Sequence, residues 1–183
     1  MAEALDPALP PHVDELAKQV LQEACDRGLM LATAESCTGG LLASLLTDIP
    51  GKSHAFERGF VTYTDEAKHE LLGVAMEVLE TDGAVSERAA RAMAEGALRH
   101  SRADVAASIT GYAESSEEGK AGLVHFGCAA KGRPTVHKLM RFGDVGRAEV
   151  RLRALETALQ MMREAVGGAV SSPGSGSERE RVG

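Results

Sequence analysis

Apolar positions along this chain follow two periods, and the periods alternate. Val13, Leu16, Val20, Leu21 and Ala24 fall at helical spacing, and Gly28 stops the run. Leu29 to Thr33 is short and continuously apolar, which suits a buried strand. Thr38 to Thr47 reads as a helix opened by small residues and closed by the turn Asp48-Ile49-Pro50-Gly51. Gly59 to Tyr63 is β-rich. Thr64 then caps a short helix through Leu72, with Glu66 and Glu70 near its start and Gly73 as its stop.

The second half repeats the alternation. Ser86 caps a helix with Ala90, Met93, Ala94 and Leu98 at apolar spacing. Asp104 to Thr110 is a strand ending at Gly111. Gly122 to Ala130 and Thr135 to Phe142 read as two strands joined by Lys131-Gly132-Arg133-Pro134, which suits an antiparallel hairpin. Asp144 starts a final helix carrying Val150, Leu152, Leu155, Leu159 and Met162. Alternating elements with one late hairpin predict an α/β fold, a mixed sheet between helix layers. The compact domain runs over 12–166. An irregular arm with Pro7, Pro10 and Pro11 precedes it (1–11). The Gly/Ser-rich, charge-alternating tail 167–183 is expected to be disordered.

Composition narrows the function classes. The 183 residues carry a formal net charge of -7, which argues against a nucleic-acid binder that must displace counterions from phosphates. Cys25, Cys37 and Cys128 show no metal-ligand spacing, so no metal site is expected and reduced thiols in a cytoplasm are the simplest reading. The acidic N-terminus lacks the features of a signal peptide, and no apolar run reaches the ~18 residues a membrane span needs. Apolar helix faces would permit a homo-oligomer.

The densest chemistry lies in TAESCTGG, Thr33 to Gly40, at a strand-to-helix junction. Glycines allow close approach of a ligand, and a helix N-terminus favours anions. No dinucleotide, P-loop or nucleophile-elbow pattern is present. The plainer alternative is that Ser36 or Thr38 only caps the helix and Gly39-Gly40 only permits close packing.

The run TAESCTGGLLASLLTDIPG, then FERGFVTYTDEAKHELLGV, then GAVSE, resembles the CinA C-terminal domain family across roughly 14–163. The resemblance implies a three-layer α/β/α sandwich around a mixed, mostly parallel sheet. It also implies an amidohydrolase that converts nicotinamide mononucleotide to the acid and releases ammonia, without a cofactor. Carried over residue by residue, Ser36 is the nucleophile, Lys68 the base and Tyr63 its orienter or proton relay. Thr38, Gly39, Gly40, Thr110 and Arg58 are the substrate-binding candidates. A serine needs a base to attack an amide, no histidine sits in these motifs, and a buried lysine can be neutral enough to serve. Amides around Cys37 to Gly40 are the expected oxyanion donors.

Each candidate has a plainer reading. Lys68 suits a solvated helix face, Tyr63 a strand edge, Thr110 a β-branched strand position, and Arg58 a surface pair with Glu57. Cys37 reads as a small packing residue and His125 as a structural one. The sequence also departs from the family. Members continue I-A-G-P-x-G-G after the strand ending in Thr-Gly, whereas Tyr112-Ala113-Glu114-Ser115-Ser116-Glu117-Glu118 follows here, with Lys120 and Gly122 at the family's lysine and glycine. Three carboxylates near a phosphorylated ligand are unfavourable. A different, less anionic amide and a non-catalytic ligand sensor are therefore the alternative expectations. The short arm stands where longer members carry a further N-terminal domain, so a stand-alone form is expected.

Overall fold

The computed structural model describes residues 9–114 and 119–168. Pro11 opens helix α1 (Pro11–Asp26), where its fixed φ and missing N–H are harmless. Strand β1 (Leu31–Glu35) leads through a glycine turn to α2 (Leu41–Thr47). A short 3₁₀ turn at Ser53–Ala55 precedes β2 (Phe56–Val61). Helices α3 (Asp65–Leu72), α4 (Met76–Thr81) and α5 (Glu87–Arg99) follow, then β3 (Val105–Gly111), β4 (Leu123–Ala130), β5 (Val136–Arg141) and α6 (Arg147–Gly168).

The five strands form one sheet in the order β2-β1-β3-β4-β5. β1 pairs in parallel with β2 and β3, while β4 pairs antiparallel with β3 and β5. Only β4 therefore opposes the common direction, which is the mixed, mostly parallel sheet expected. Strand alternation divides the core. Leu31, Val105, Ile109, Val124 and Phe126 face α1, α2 and α6. Ala32, Ala34 and Ala106 face Leu72, Val78, Met93 and Ala97 on α3, α4 and α5. Small residues let α5 lie close to the sheet. A Cβ on Gly127 would overlap the Ala90 carbonyl, and Ser108 Oγ bridges Ala90 O (2.6 Å) and Gly127 N (3.0 Å).

Several boundaries differ from expectation. β2 begins at Phe56 rather than Gly59 because its charged Glu57 and Arg58 lie at a sheet edge, where they need not be apolar. Helix α2 starts at Leu41, not Thr38, since Gly40 takes φ 97° and delays the helix. Helix α6 starts at Arg147 rather than Asp144 and reaches Gly168. The arm as far as residue 8 and the tail from 169 lie outside the described residues.

Candidate active site

The C-terminal ends of β1, β2 and β3 meet at one rim of the sheet, the usual place for ligands in open α/β folds. The turn after β1 is held from several sides. Ser36 N donates to Ile109 O on β3 at 3.0 Å, and Gly39 N returns to Ser36 O at 3.1 Å. Beneath it lies Glu35, fully buried. Its carboxylate accepts from Gly40 N (3.1 Å), Leu42 N (3.0 Å) and Ala43 N (2.8 Å). The start of α2 is thus capped by the last residue of β1. This revises the expected anion site, because those amides are already committed to Glu35. The amides of Cys37 and Thr38 donate to no oxygen among the described residues.

Glu35→Gln preserves volume but turns an acceptor into a donor facing backbone donors. It should lower the unfolding free energy by roughly 1–3 kcal/mol, measured by urea denaturation.

Lys68 approaches from α3. The Thr64 hydroxyl caps that helix by accepting from Ala67 N, which fixes its first turn. Lys68 is then 1 % exposed. Its Nζ lies 3.3 Å from Ser36 Oγ, 3.0 Å from Thr62 O and 3.3 Å from Tyr63 O. Among the described residues no carboxylate forms an ion pair with it. Burial holds the Lys68 amine below its ordinary value, against the opposing pull of the Asp65 charge. A neutral amine has two N–H bonds and one lone pair. Here two carbonyls can take the N–H bonds, which leaves the lone pair for the Ser36 hydroxyl. Such an arrangement can accept the proton of an attacking serine.

The other expected residues divide. Tyr63 reaches Lys68 through its carbonyl, whereas its side chain is 68 % exposed. Gly39 and Gly40 take positive φ in the turn. Thr38 is fully buried, and its hydroxyl has no hydrogen bond within the described residues. Thr110, also buried, donates to Ala84 O at 2.7 Å, so it secures the loop before α5 instead of presenting a free hydroxyl. Arg58 does not join the site. It lies opposite Ala32 at the other end of β2, bonded to Glu57 (2.8 Å) and His100 O (3.0 Å), as its plainer reading had it. Cys37 is a buried thiol that burial pushes up to about 11. His125 sits against His137 at 3.0 Å.

Residues missed from sequence are Glu35, Thr62 with its carbonyl, and two arginines of α6. Arg151 donates to Thr38 O at 2.8 Å. Arg147 pairs with Glu114 at 3.3 Å. The remaining acids of the departing loop, Glu117 and Glu118, lie outside the described residues. A cavity of about 520 Å³ lined by Cys25, His54 and Arg102 is at the opposite end of the sheet and does not reach Ser36. Among the described residues no group of His, Cys, Asp and Glu converges as a metal site would require.

The chain matches the family profile described as "CinA C-terminal domain" over residues 13–166. It is 47% identical over 152 residues to the nicotinamide-nucleotide amidohydrolase PncC of Escherichia coli K12, covering 81% of this chain and 91% of that protein. A protein of Symbiobacterium thermophilum with a competence-damage inducible name is 46% identical over 162 residues. That alignment covers 82% of this chain but only 38% of the longer relative. In structure, the chain resembles the competence/damage inducible protein CihA of Agrobacterium tumefaciens, with a TM-score of 0.84 and 46% identity over 88% of this chain and 99% of that one.

Proposed function

The chain belongs to the CinA C-terminal domain family, and from that premise we propose that it hydrolyses the carboxamide of nicotinamide mononucleotide by Ser36/Lys68 catalysis. The observation that carries this reading is the 3.3 Å contact between the Lys68 amine and the Ser36 hydroxyl in a buried setting without a paired acid. The PncC name of a relative covered almost end to end supports the substrate.

The chemistry follows from the contacts. Ser36 Oγ attacks the carboxamide carbon as its proton passes to Lys68 Nζ. The Cys37 and Thr38 amides face the developing oxyanion, a role worth roughly 3–4 kcal/mol per donor in hydrolases of known mechanism. The Lys68 ammonium then returns the proton to the departing nitrogen, ammonia leaves, and an ester remains on Ser36. Water attacks this ester with Lys68 again as base, which releases nicotinate mononucleotide. Thr62 O and Tyr63 O hold the amine in place throughout. The exposed side chains of Val61, which lies against Gly40, and Tyr63 supply apolar surface for an aromatic ring. A small-molecule mononucleotide partner, no nucleic acid or membrane partner, a cytoplasmic setting and a place in pyridine-nucleotide salvage go with this activity. No helix among the described residues is long and apolar enough to cross a membrane.

Incubation with nicotinamide mononucleotide should release ammonia and the acid in equal amounts, measured by coupled assay and chromatography. Absence of both products from the folded protein would remove the assignment.

A further inference from the structure

One charged pair beside the Ser36 turn, Arg147 with Glu114, has no role in the chemistry above. Arg147 opens α6, one helical turn before Arg151, so the two share a helix face. Arg151 grips the carbonyl of Thr38 in the Ser36 turn, which places that face over the turn. Glu114 foremost, and the Tyr63 hydroxyl more weakly, push the Arg147 guanidinium above its ordinary value, so both face it. The Tyr63 carbonyl is itself 3.3 Å from Lys68 Nζ. Arg147 thus meets the segment after β3 through Glu114 and the segment after β2 through Tyr63. Its side chain and that of Glu114 are both about half exposed, 48% and 60%, so solvent and ligand reach them. Arg58, the cation expected to bind phosphate, is at the far end of β2 and engaged elsewhere.

We infer that Arg147 is the subsite for the substrate's phosphate and that Glu114 is an internal competitor for it, setting how strongly this chain prefers a phosphorylated amide over an unphosphorylated one. The inference rests on the amidohydrolase reading and deepens it. A guanidinium fork binds carboxylate and phosphate alike, so one displaces the other. A phosphate monoester carries up to two charges at neutral pH against one for Glu114. The exposed Glu114–Arg147 pair is of the weak kind, so a bound phosphate can replace it. The carboxylate then stays near the phosphate and weakens its binding. Glu114 lies in the segment where family members carry the glycine-rich sequence, which makes the competition a property of this chain's own loop.

The test is the ratio of kcat/KM for nicotinamide mononucleotide to that for the dephosphorylated riboside, measured as ammonia release by wild type, Glu114→Gln and Arg147→Gln. Glu114→Gln should raise the ratio about fivefold, chiefly by lowering KM for the mononucleotide, as loss of a screened pair allows. Arg147→Gln should lower it by about tenfold or more, and Arg147→Lys should recover part of that loss. The effect of Glu114→Gln should shrink at high salt. An unchanged ratio in Glu114→Gln or in Arg147→Gln overturns the inference. If wild type hydrolyses neither amide, the amidohydrolase reading fails by itself. Calorimetric titration of nicotinamide mononucleotide into the same proteins then decides the subsite. Affinity in the order Glu114→Gln, wild type, Arg147→Gln upholds it, and equal affinities or no binding overturn it.

Discussion

Lys68→Met is expected to lower kcat/KM for ammonia release by roughly a thousandfold, the usual scale for loss of a general base. Methionine matches the lysine stem in length and fills the same buried space, so the loss reports the amine. In wild type, activity should rise with pH as Lys68 deprotonates, with a limb below the ordinary lysine value of 10.5. The same shift has a stability signature. Because burial depresses the pKa, the folded chain binds fewer protons than the unfolded chain between the depressed value and 10.5. Wild-type stability therefore rises with pH through that window, and the penalty for a charged buried amine is complete below it. Methionine carries no such penalty. The stability difference should move in favour of Lys68→Met as pH falls through the window, as urea denaturation at several pH values can check. A variant that loses activity while following this trend has lost chemistry, not fold.

Ser36→Ala is expected to cost about a thousandfold or more in kcat/KM, because no other group can form the ester. The neighbouring thiol of Cys37 is no substitute: it is buried and pushed up to about 11, so little thiolate exists at neutral pH. The double variant Ser36→Ala/Lys68→Met should be no slower than either single variant, since residues that act as a unit are not additive. Steady-state rates with the folded fraction matched between variants test this directly. A double variant slower by the product of the two losses would mean that serine and lysine act independently.

Much of this arrangement was legible where local chemistry decides local structure. The Thr64 and Ser86 hydroxyl caps and the Gly73 stop appear in the structure where their side chains and backbone freedom predict them. Helix α4 was missed because it is six residues long, has no side-chain cap and offers too few apolar positions to show a period. The Ser36–Lys68 pairing follows from family resemblance; spacing only allows it, since a lysine among Asp65, Glu66 and Glu70 has the pattern of a solvated helix face. Burial of its amine is a tertiary effect: the Ser36 hydroxyl and the Thr62 and Tyr63 carbonyls surround it. Glu35 did carry a readable signal, an acid ending an apolar strand just before a glycine turn. Its role as a cap acting across the turn depends on the 36–40 backbone, which no spacing rule describes. Tyr63 and Thr110 stand near the site for reasons that sequence does not show: the Tyr63 carbonyl reaches Lys68, and the Thr110 hydroxyl tethers the loop before α5. Arg147 and Arg151 lie among several charges that open α6, and only the contact of α6 with the Ser36 turn sets them apart.

Ser36/Lys68 catalysis depends most on the protonation of one amine, and NMR of isotope-labelled lysine, with the Lys68 signal assigned by its loss in Lys68→Met, measures that directly. The Lys68 side chain is expected to titrate below 10.5, at the same pH as the rising limb of kcat/KM. Titration at or above 10.5, or a midpoint unrelated to the limb, would contradict Ser36/Lys68 catalysis.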